Sequence, residues 1–265
     1  MVDVYGLIGK SIQHSLSPTI YNSLFNRYGI DADYRLYELD KLEPIMEKTQ
    51  IGSIKGLNVT KPYKIEILNN LKNLSKEAEK IGSVNTIVRE EDKLIGHNTD
   101  GIGARNALNR FIALNDKNVL QLGAGGAGRA VAYELSKWSN VVVLNRKKQK
   151  AKELEKFSIK GLKLNNKNLK DYTEWCDILI NTTSVGMNSN KSLVNSRLLN
   201  EDILVFDIVY SPMETRLLSE AREVGCKSVD GLWMLIYQAL ACFKLWTGIT
   251  PDADFIRKKT MEVLK

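Results

Sequence analysis

The stretch "VLQLGAGGAGRA", residues 119–130, limits what this chain can fold into more than any other. A short apolar run leads straight into Gly123-x-Gly125-x-x-Gly128, and "GRAVAYELSKW" at 128–138 has the composition of a helix. In a strand–turn–helix that receives a dinucleotide, each glycine has a separate steric task. The first permits the tight turn, the second lets the pyrophosphate approach the backbone, and the third lets helix and strand pack closely. The helix N-terminus then offers unbonded N–H groups and a partial positive charge to the phosphates. The β-branched runs "NVVVLNR", "CDILINTT" and "ILVFDIVY" read as further buried strands, which predicts a Rossmann-type parallel sheet.

The next strand bears on which dinucleotide is bound. A site for NAD usually ends that strand with Asp or Glu, which bonds the ribose 2′-hydroxyl. Here it ends "NRKKQK", so Asn145 and Arg146 stand where the acid would be. A carboxylate would repel a 2′-phosphate, whereas a guanidinium pairs with it in a forked geometry. NADP is therefore the expected cofactor, with Lys147 and Lys150 adding to the field. Residues 146–170 hold ten basic side chains against Glu153 and Glu155, within a net charge of +7. No aromatic interleaving or nucleic-acid motif accompanies that run, so no nucleic-acid partner is expected.

The first hundred residues form another α/β pattern. Strands are predicted over 2–8, 33–39 and 54–60, and a helix over 17–29. A second helix is expected from Pro62, with Ile65, Leu68 and Leu71 on one face. "SVNTIVRE" and "KLIGHN" read as a hairpin around Glu91 and Asp92, a helix as running from 101 to 114, and 115–118 as a linker. Helices over 232–246 and 252–264 close the chain. The polar clusters "SLS" (15–17), "NVTKPYK" (58–64), "SVNT" (83–86) and "GHNTDG" (96–101) each follow or end a strand. Singly each could be a cap or turn, with Ser17 before Pro18 suited to an N-cap. Together they suggest recognition of a small polyhydroxylated molecule.

Three widely spaced cysteines (Cys176, Cys226, Cys242) and two histidines argue against a disulfide framework and against a metal site. No apolar run approaches the ~18 residues of a membrane helix, and no leader pattern precedes Tyr5, so a cytoplasmic protein is expected.

In family order, "HSLSP", "NVTKPYK", "GSVNT", "GHNTDG", "GAGGAGRA", "NR", "NTTSVGM", "DIVYSP" and "GLWMLIYQA" resemble the motifs of the shikimate dehydrogenases over nearly the full length. The resemblance implies NADPH-dependent reversible reduction of 3-dehydroshikimate to shikimate, in the chorismate pathway to aromatic amino acids. The alternative is a quinate/shikimate dehydrogenase of broader specificity. It further implies an α/β substrate-binding domain at 1–104, completed by C-terminal helices (233–265) that pack back on it, and a Rossmann-type NADP-binding domain at 105–232. Ser15 and Ser17 should bond the substrate carboxylate. Thr60, Asn85, Asp100, Tyr210 and Gln238 should contact its hydroxyls or carboxylate, and Lys64 should be the acid/base residue. Gly123, Ala124, Gly125, Gly126, Ala127, Asn145, Arg146, Lys147, Lys150, Ile208 and Gly231 should line the cofactor. The partner expected is a small-molecule substrate, with a homodimer among the assemblies left open. The sequence departs from the family at Lys61, where an apolar residue is usual, at Ser11 in place of Pro, and at Tyr21 in place of His.

The chemistry agrees with these assignments. Carbonyl reduction needs hydride delivered to carbon and a proton for the developing alkoxide. Without a metal, a lysine paired with a carboxylate, Lys64 with Asp100, can relay that proton. In the first turn of a helix from Pro62, a cation at Lys64 is disfavoured by ~0.3–1 kcal/mol. Asp100 opposes that effect, which leaves the resting protonation state open. Lys61, held extended before proline, is expected to point outward.

Overall fold

The computed structural model describes residues 2–50 and 52–264. The chain forms two compact units, Met1–Thr99 with Gln238–Lys265, and Asp100–Tyr237. These breaks lie five residues from the boundaries expected at 104 and 233. Among the described residues no helix is long and apolar enough to cross a membrane.

The first unit begins β1 (Asp3–Gly9), α1 (Ser17–Arg27), β2 (Ala32–Glu38), α2 (Glu43–Gln50) and β3 (Gly56–Val59). It continues with β4 (Asn73–Leu74), α3 (Lys76–Ile81), β5 (Thr86–Glu90) and β6 (Lys93–His97). The strands build a six-stranded mixed sheet in the order β2-β1-β3-β5-β6-β4, with β1 parallel to β2 and β3, and β5 antiparallel to β3 and β6. Because side chains alternate along a strand, the sheet presents two different faces. On one, Ile8, Leu57, Val59 and Ile87 join Leu42, Ile45 and Met46 of the α2 region in a core. The other face carries Tyr5, Tyr34, Asn58 and Thr86.

The C-terminal helices cover this second face. The Trp246 ring packs, tilted, at 4.7 Å from Tyr5 and 5.1 Å from Tyr21, and its indole N–H donates to Ile87 O at 3.1 Å. Gly56 makes this approach possible, since a Cβ there would lie 2.4 Å from the Trp246 indole nitrogen. Arg27 also lies 4.0 Å over the Phe255 ring.

The second unit opens with α4 (Asp100–Leu108), β7 (Asn118–Leu122), α5 (Gly126–Leu135), β8 (Asn140–Asn145) and α6 (Lys148–Lys152). It adds β9 (Lys160–Lys163), α7 (Asn166–Trp175), β10 (Ile178–Asn181), β11 (Leu204–Asp207), α8 (Arg216–Val224) and β12 (Ser228–Val229). Two further helices, α9 (Gly231–Thr247) and α10 (Ala253–Val263), end the chain, and the unit boundary falls within α9. The six strands are all parallel, in the order β12-β11-β10-β7-β8-β9. β10 and β11 are buried at every position, as strands covered on both faces must be. The strand order reverses between β7 and β10, where a doubly wound sheet leaves a ligand crevice at its carboxyl edge.

Three expectations need correction. No α-helix begins at Pro62: residues 61–65 form turns, and a 3-10 helix covers only Glu66–Asn70. The buried Tyr63 side chain bonds Leu39 O, and Lys64 O accepts from Val84 N–H at 2.8 Å, which diverts that carbonyl from a helical ladder. Ile65, expected on the buried face, is 46% exposed, while Ile67 is fully buried. Lys64 therefore lies outside the first turn of any α-helix, and the dipole argument for its charge does not apply. α4 ends at Leu108 rather than 114, and α5 spans Gly126–Leu135 rather than 128–138.

Candidate active site

In the second unit, the glycine-rich turn has the geometry of a phosphate cradle. Gly123 has φ +106°, and a Cβ there would lie 2.8 Å from Thr182 Oγ1. Gly125 is the N-cap of α5 with no side chain capping it, and a Cβ at that position would meet nothing within 4 Å. Gly128 packs so closely that a Cβ would stand 2.7 Å from Gly123 O. Open space over the second glycine and close packing at the other two is the arrangement a pyrophosphate requires. Ala124 belongs to the turn itself, and Gly126 and Ala127 form the first turn of α5.

Gln121 and Thr182, not singled out from sequence, hold this turn together with Asn145. Buried Gln121 donates through Nε2 to Gly123 O and Gly128 O, both at 2.8 Å, and Thr182 Oγ1 donates to Leu122 O at 2.8 Å. Asn145 accepts the Ala124 N–H through Oδ1 at 3.2 Å and donates to Lys147 O at 2.9 Å. Its side chain thus braces the turn from the end of β8. Arg146, Lys147 and Lys150 follow with exposed side chains.

At the ends of β10 and β11 a polar hub interrupts otherwise apolar strands. Asp207 is fully buried and accepts from Asn181 Nδ2 at 2.9 Å, Val209 N–H at 3.0 Å and the Thr215 hydroxyl at 2.7 Å. Burial pushes its carboxyl up to about 6, against the opposing effect of those three bonds. Asn181 in turn accepts from Thr183 N–H and its hydroxyl, and donates to Val185 O at 3.1 Å. Ile208 and Tyr210 follow Asp207 directly. Gly231, the first residue of α9, is so close to this segment that a Cβ would lie 2.4 Å from Ile208 O. Burial raises the Tyr210 phenol above its ordinary range. Asp100, also in the second unit, opens α4 and is 4% exposed.

The first unit holds the remaining candidates, several of them joined by hydrogen bonds. Leu16 occupies the N-cap of α1 and no side chain caps that helix, so Ser17 is not the cap its position suggested. Instead the Ser15 hydroxyl donates to Ser17 Oγ at 3.1 Å. Tyr34, beside Ser17, donates to Asn58 Oδ1 at 2.7 Å. Asn58 Nδ2 faces Asn85 O at 3.3 Å, and Asn85 Nδ2 donates to Thr99 Oγ1 at 2.9 Å and Gln238 Oε1 at 3.3 Å. Thr60 N–H bonds Ile8 O at 2.9 Å, and the Lys64 carbonyl is tied to Val84, the residue before Asn85. Thr60 and Lys64 thus follow β3 and Asn85 precedes β5, its paired neighbour, with Gln238 bonded to Asn85 and Ser15 and Ser17 at the start of α1. Tyr21, the family departure, is buried and stacks on Tyr34 at 4.4 Å. Its hydroxyl lies beside Cys242 and Asn58 with no well-formed hydrogen bond. Tyr34 escaped the sequence reading because its partner Asn58 lies on another strand, whereas Thr86 and Thr99 belong to clusters already noted there.

Comparison with known proteins covers both units. Residues 7–87 match the family model of the shikimate dehydrogenase substrate binding domain, and residues 105–232 that of shikimate / quinate 5-dehydrogenase. Residues 231–260 match the shikimate 5′-dehydrogenase C-terminal domain. A Pyrococcus abyssi protein named shikimate dehydrogenase (NADP(+)) is 55% identical over 98% of this chain and 98% of its own length. A crystal structure of a shikimate dehydrogenase in complex with NADP+ is 40% identical, with TM-score 0.93, covering 100% of this chain and 96% of that one. The Thermus thermophilus shikimate 5-dehydrogenase, solved with NADP(H) and shikimate, is 34% identical, with TM-score 0.91 and complete coverage (100%) of both chains. The chain belongs to the shikimate dehydrogenase family.

Proposed function

We propose that this chain catalyses the reversible NADP-dependent reduction of 3-dehydroshikimate to shikimate, in the route to chorismate and the aromatic amino acids. The observation that carries the reading is the linked polar set of the first unit, in a chain whose second unit holds a dinucleotide turn followed by Arg146. The relatives' recorded complexes with NADP and shikimate support the same ligands here.

In this reading Ser15 and Ser17 hold the substrate carboxylate, and Thr60, Asn85, Asp100, Tyr210 and Gln238 orient it through its hydroxyls or carboxylate. NADPH, when bound, supplies the hydride. Lys64 gives a proton to the oxygen as negative charge develops on it and takes one back in the reverse direction, with Asp100 as the second catalytic residue. Gly123–Ala127 receive the pyrophosphate, Asn145 to Lys150 the 2′-phosphorylated ribose, and Ile208 and Gly231 the nicotinamide end. We expect a cytoplasmic enzyme, and sedimentation velocity would tell a homodimer from the other assemblies left open.

The test is absorbance at ~340 nm, where the reduced nicotinamide absorbs, with NADP+ or NAD+ and shikimate or quinate in all four combinations. NADP+ with shikimate should give the highest kcat/KM. A higher value with quinate would favour the broader-specificity dehydrogenase, and no turnover of either acid would refute the reading.

A further inference from the structure

The Asp207 hub contains a charge that its hydrogen bonds do not require. All three of its partners are neutral donors: the Thr215 hydroxyl, Val209 N–H and the Asn181 amide. No charged side chain contributes to the shift of its pKa, and desolvation is the largest cause. Burying an uncompensated carboxylate costs stability. An asparagine could serve the same partners, because its oxygen can accept from Val209 and Asn181 while its NH2 donates to a rotated Thr215 hydroxyl.

The position of the charge suggests its use. The crevice of this sheet opens between β7 and β10. Arg146 follows β8 directly on one side of that point, so the adenosine half of a dinucleotide lies there. The nicotinamide half then extends toward the carboxyl ends of β10 and β11, and Asp207 is the last residue of β11. An oxidised nicotinamide ring is a cation and a reduced one is neutral, and the two cofactor forms otherwise carry the same charged groups.

We propose that Asp207 is a charge-tuning residue, a buried anion that makes the site bind NADP+ more tightly than it otherwise would, relative to NADPH. The inference rests on the NADP reading above. Its effect falls on the difference between the two affinities, because hydrogen bonds to the loops act on both forms alike. In the low dielectric of the interior the field of an unpaired charge reaches beyond its contact neighbours.

The test is the dissociation constant of each form, by titration calorimetry for NADP+ and by nicotinamide fluorescence for NADPH, in the unmodified protein and in Asp207→Asn. The substitution should weaken NADP+ by about fivefold or more and leave NADPH within about twofold. Equal weakening of both forms would reduce Asp207 to a structural role and overturn the proposal, as would an unchanged ratio. If the unmodified protein bound neither form, the NADP reading itself would fail.

Should Asp207→Asn not fold, the ratio of the two constants in the unmodified protein at pH 8 and pH 5.5 decides. The groups that touch Asp207 are Asn181 from β10, the Val209 N–H beyond β11 and Thr215 at the start of α8, none of which titrates between these pH values. No charged side chain contributes to the shift of its carboxyl. The 2′-phosphate is common to both cofactor forms and cancels in the ratio. The preference for NADP+ should shrink at the lower pH as Asp207 takes up its proton, and a constant ratio would contradict the proposal.

Discussion

The Tyr34 hydroxyl donates to Asn58 Oδ1 across 2.7 Å, and this bond determines which way the Asn58 amide faces. With Oδ1 engaged, Nδ2 is directed at Asn85 O, at Thr86 Oγ1 (3.4 Å) and at the Cys242 sulfur (3.3 Å). Asn58 thus braces the backbone of Asn85 from beneath. Tyr34→Phe would leave Oδ1 buried without its donor, at a cost of about 1–3 kcal/mol. Lower thermal stability should accompany a shikimate KM raised severalfold, while the NADP+ dissociation constant stays unchanged. Unaltered shikimate kinetics in a destabilised variant would limit this pair to folding.

Arg146 is exposed at the end of β8, where it replaces the acid of an NAD site. Its guanidinium should contribute a charge-assisted pair to the 2′-phosphate. Arg146→Asp should raise the KM for NADP+ by at least about tenfold and leave that for NAD+ nearly constant. Equal use of both cofactors by the unmodified protein would remove the basis for this assignment.

Asp207 also makes a prediction about stability. Its folded-state carboxyl is raised from 3.8 to about 6, so its favourable contribution is fully present below the unfolded value and is lost as pH rises through about 6. The difference corresponds to about 3 kcal/mol at most. Urea unfolding of the unmodified protein and of Asp207→Asn should therefore show the Asn variant gaining relative stability between pH 4.5 and pH 7.5. A relative stability that did not vary with pH would show that the carboxyl is not shifted by burial.

What the sequence made legible follows from how local the signals are. The turn at Gly123–Gly128 and the strands "ILIN" and "LVFD" stand out because their apolar runs are continuous and their glycines have fixed spacing. α7 was not expected because only Leu169 and Thr173 are fully covered, and Tyr172 and Trp175 join the core just partly in a helix whose remaining residues are polar or charged. The supposed helix after Pro62 failed for the opposite reason. Ile65, Leu68 and Leu71 have helical spacing, but the burial of Tyr63 and the bond from Val84 to Lys64 O decide that segment. The Asp207 hub needs β10, β11 and α8 brought side by side, and no local pattern encodes that. Asp207 stood in the strand "ILVFDIVY" and the motif "DIVYSP", with no role read for it.

Lys64 and Lys61 give the most direct test of the catalytic account. Both lie in the turn after β3, Lys64 half-buried and Lys61 exposed. The measurement is kcat for shikimate oxidation in Lys64→Ala and Lys61→Ala, with circular dichroism establishing that each variant is folded. Lys64→Ala should lose about 10²–10⁴-fold in kcat with far less change in KM, and Lys61→Ala should stay within a few-fold of the unmodified enzyme. A folded Lys64→Ala enzyme with near-normal kcat, or an inactive Lys61→Ala enzyme, would contradict it.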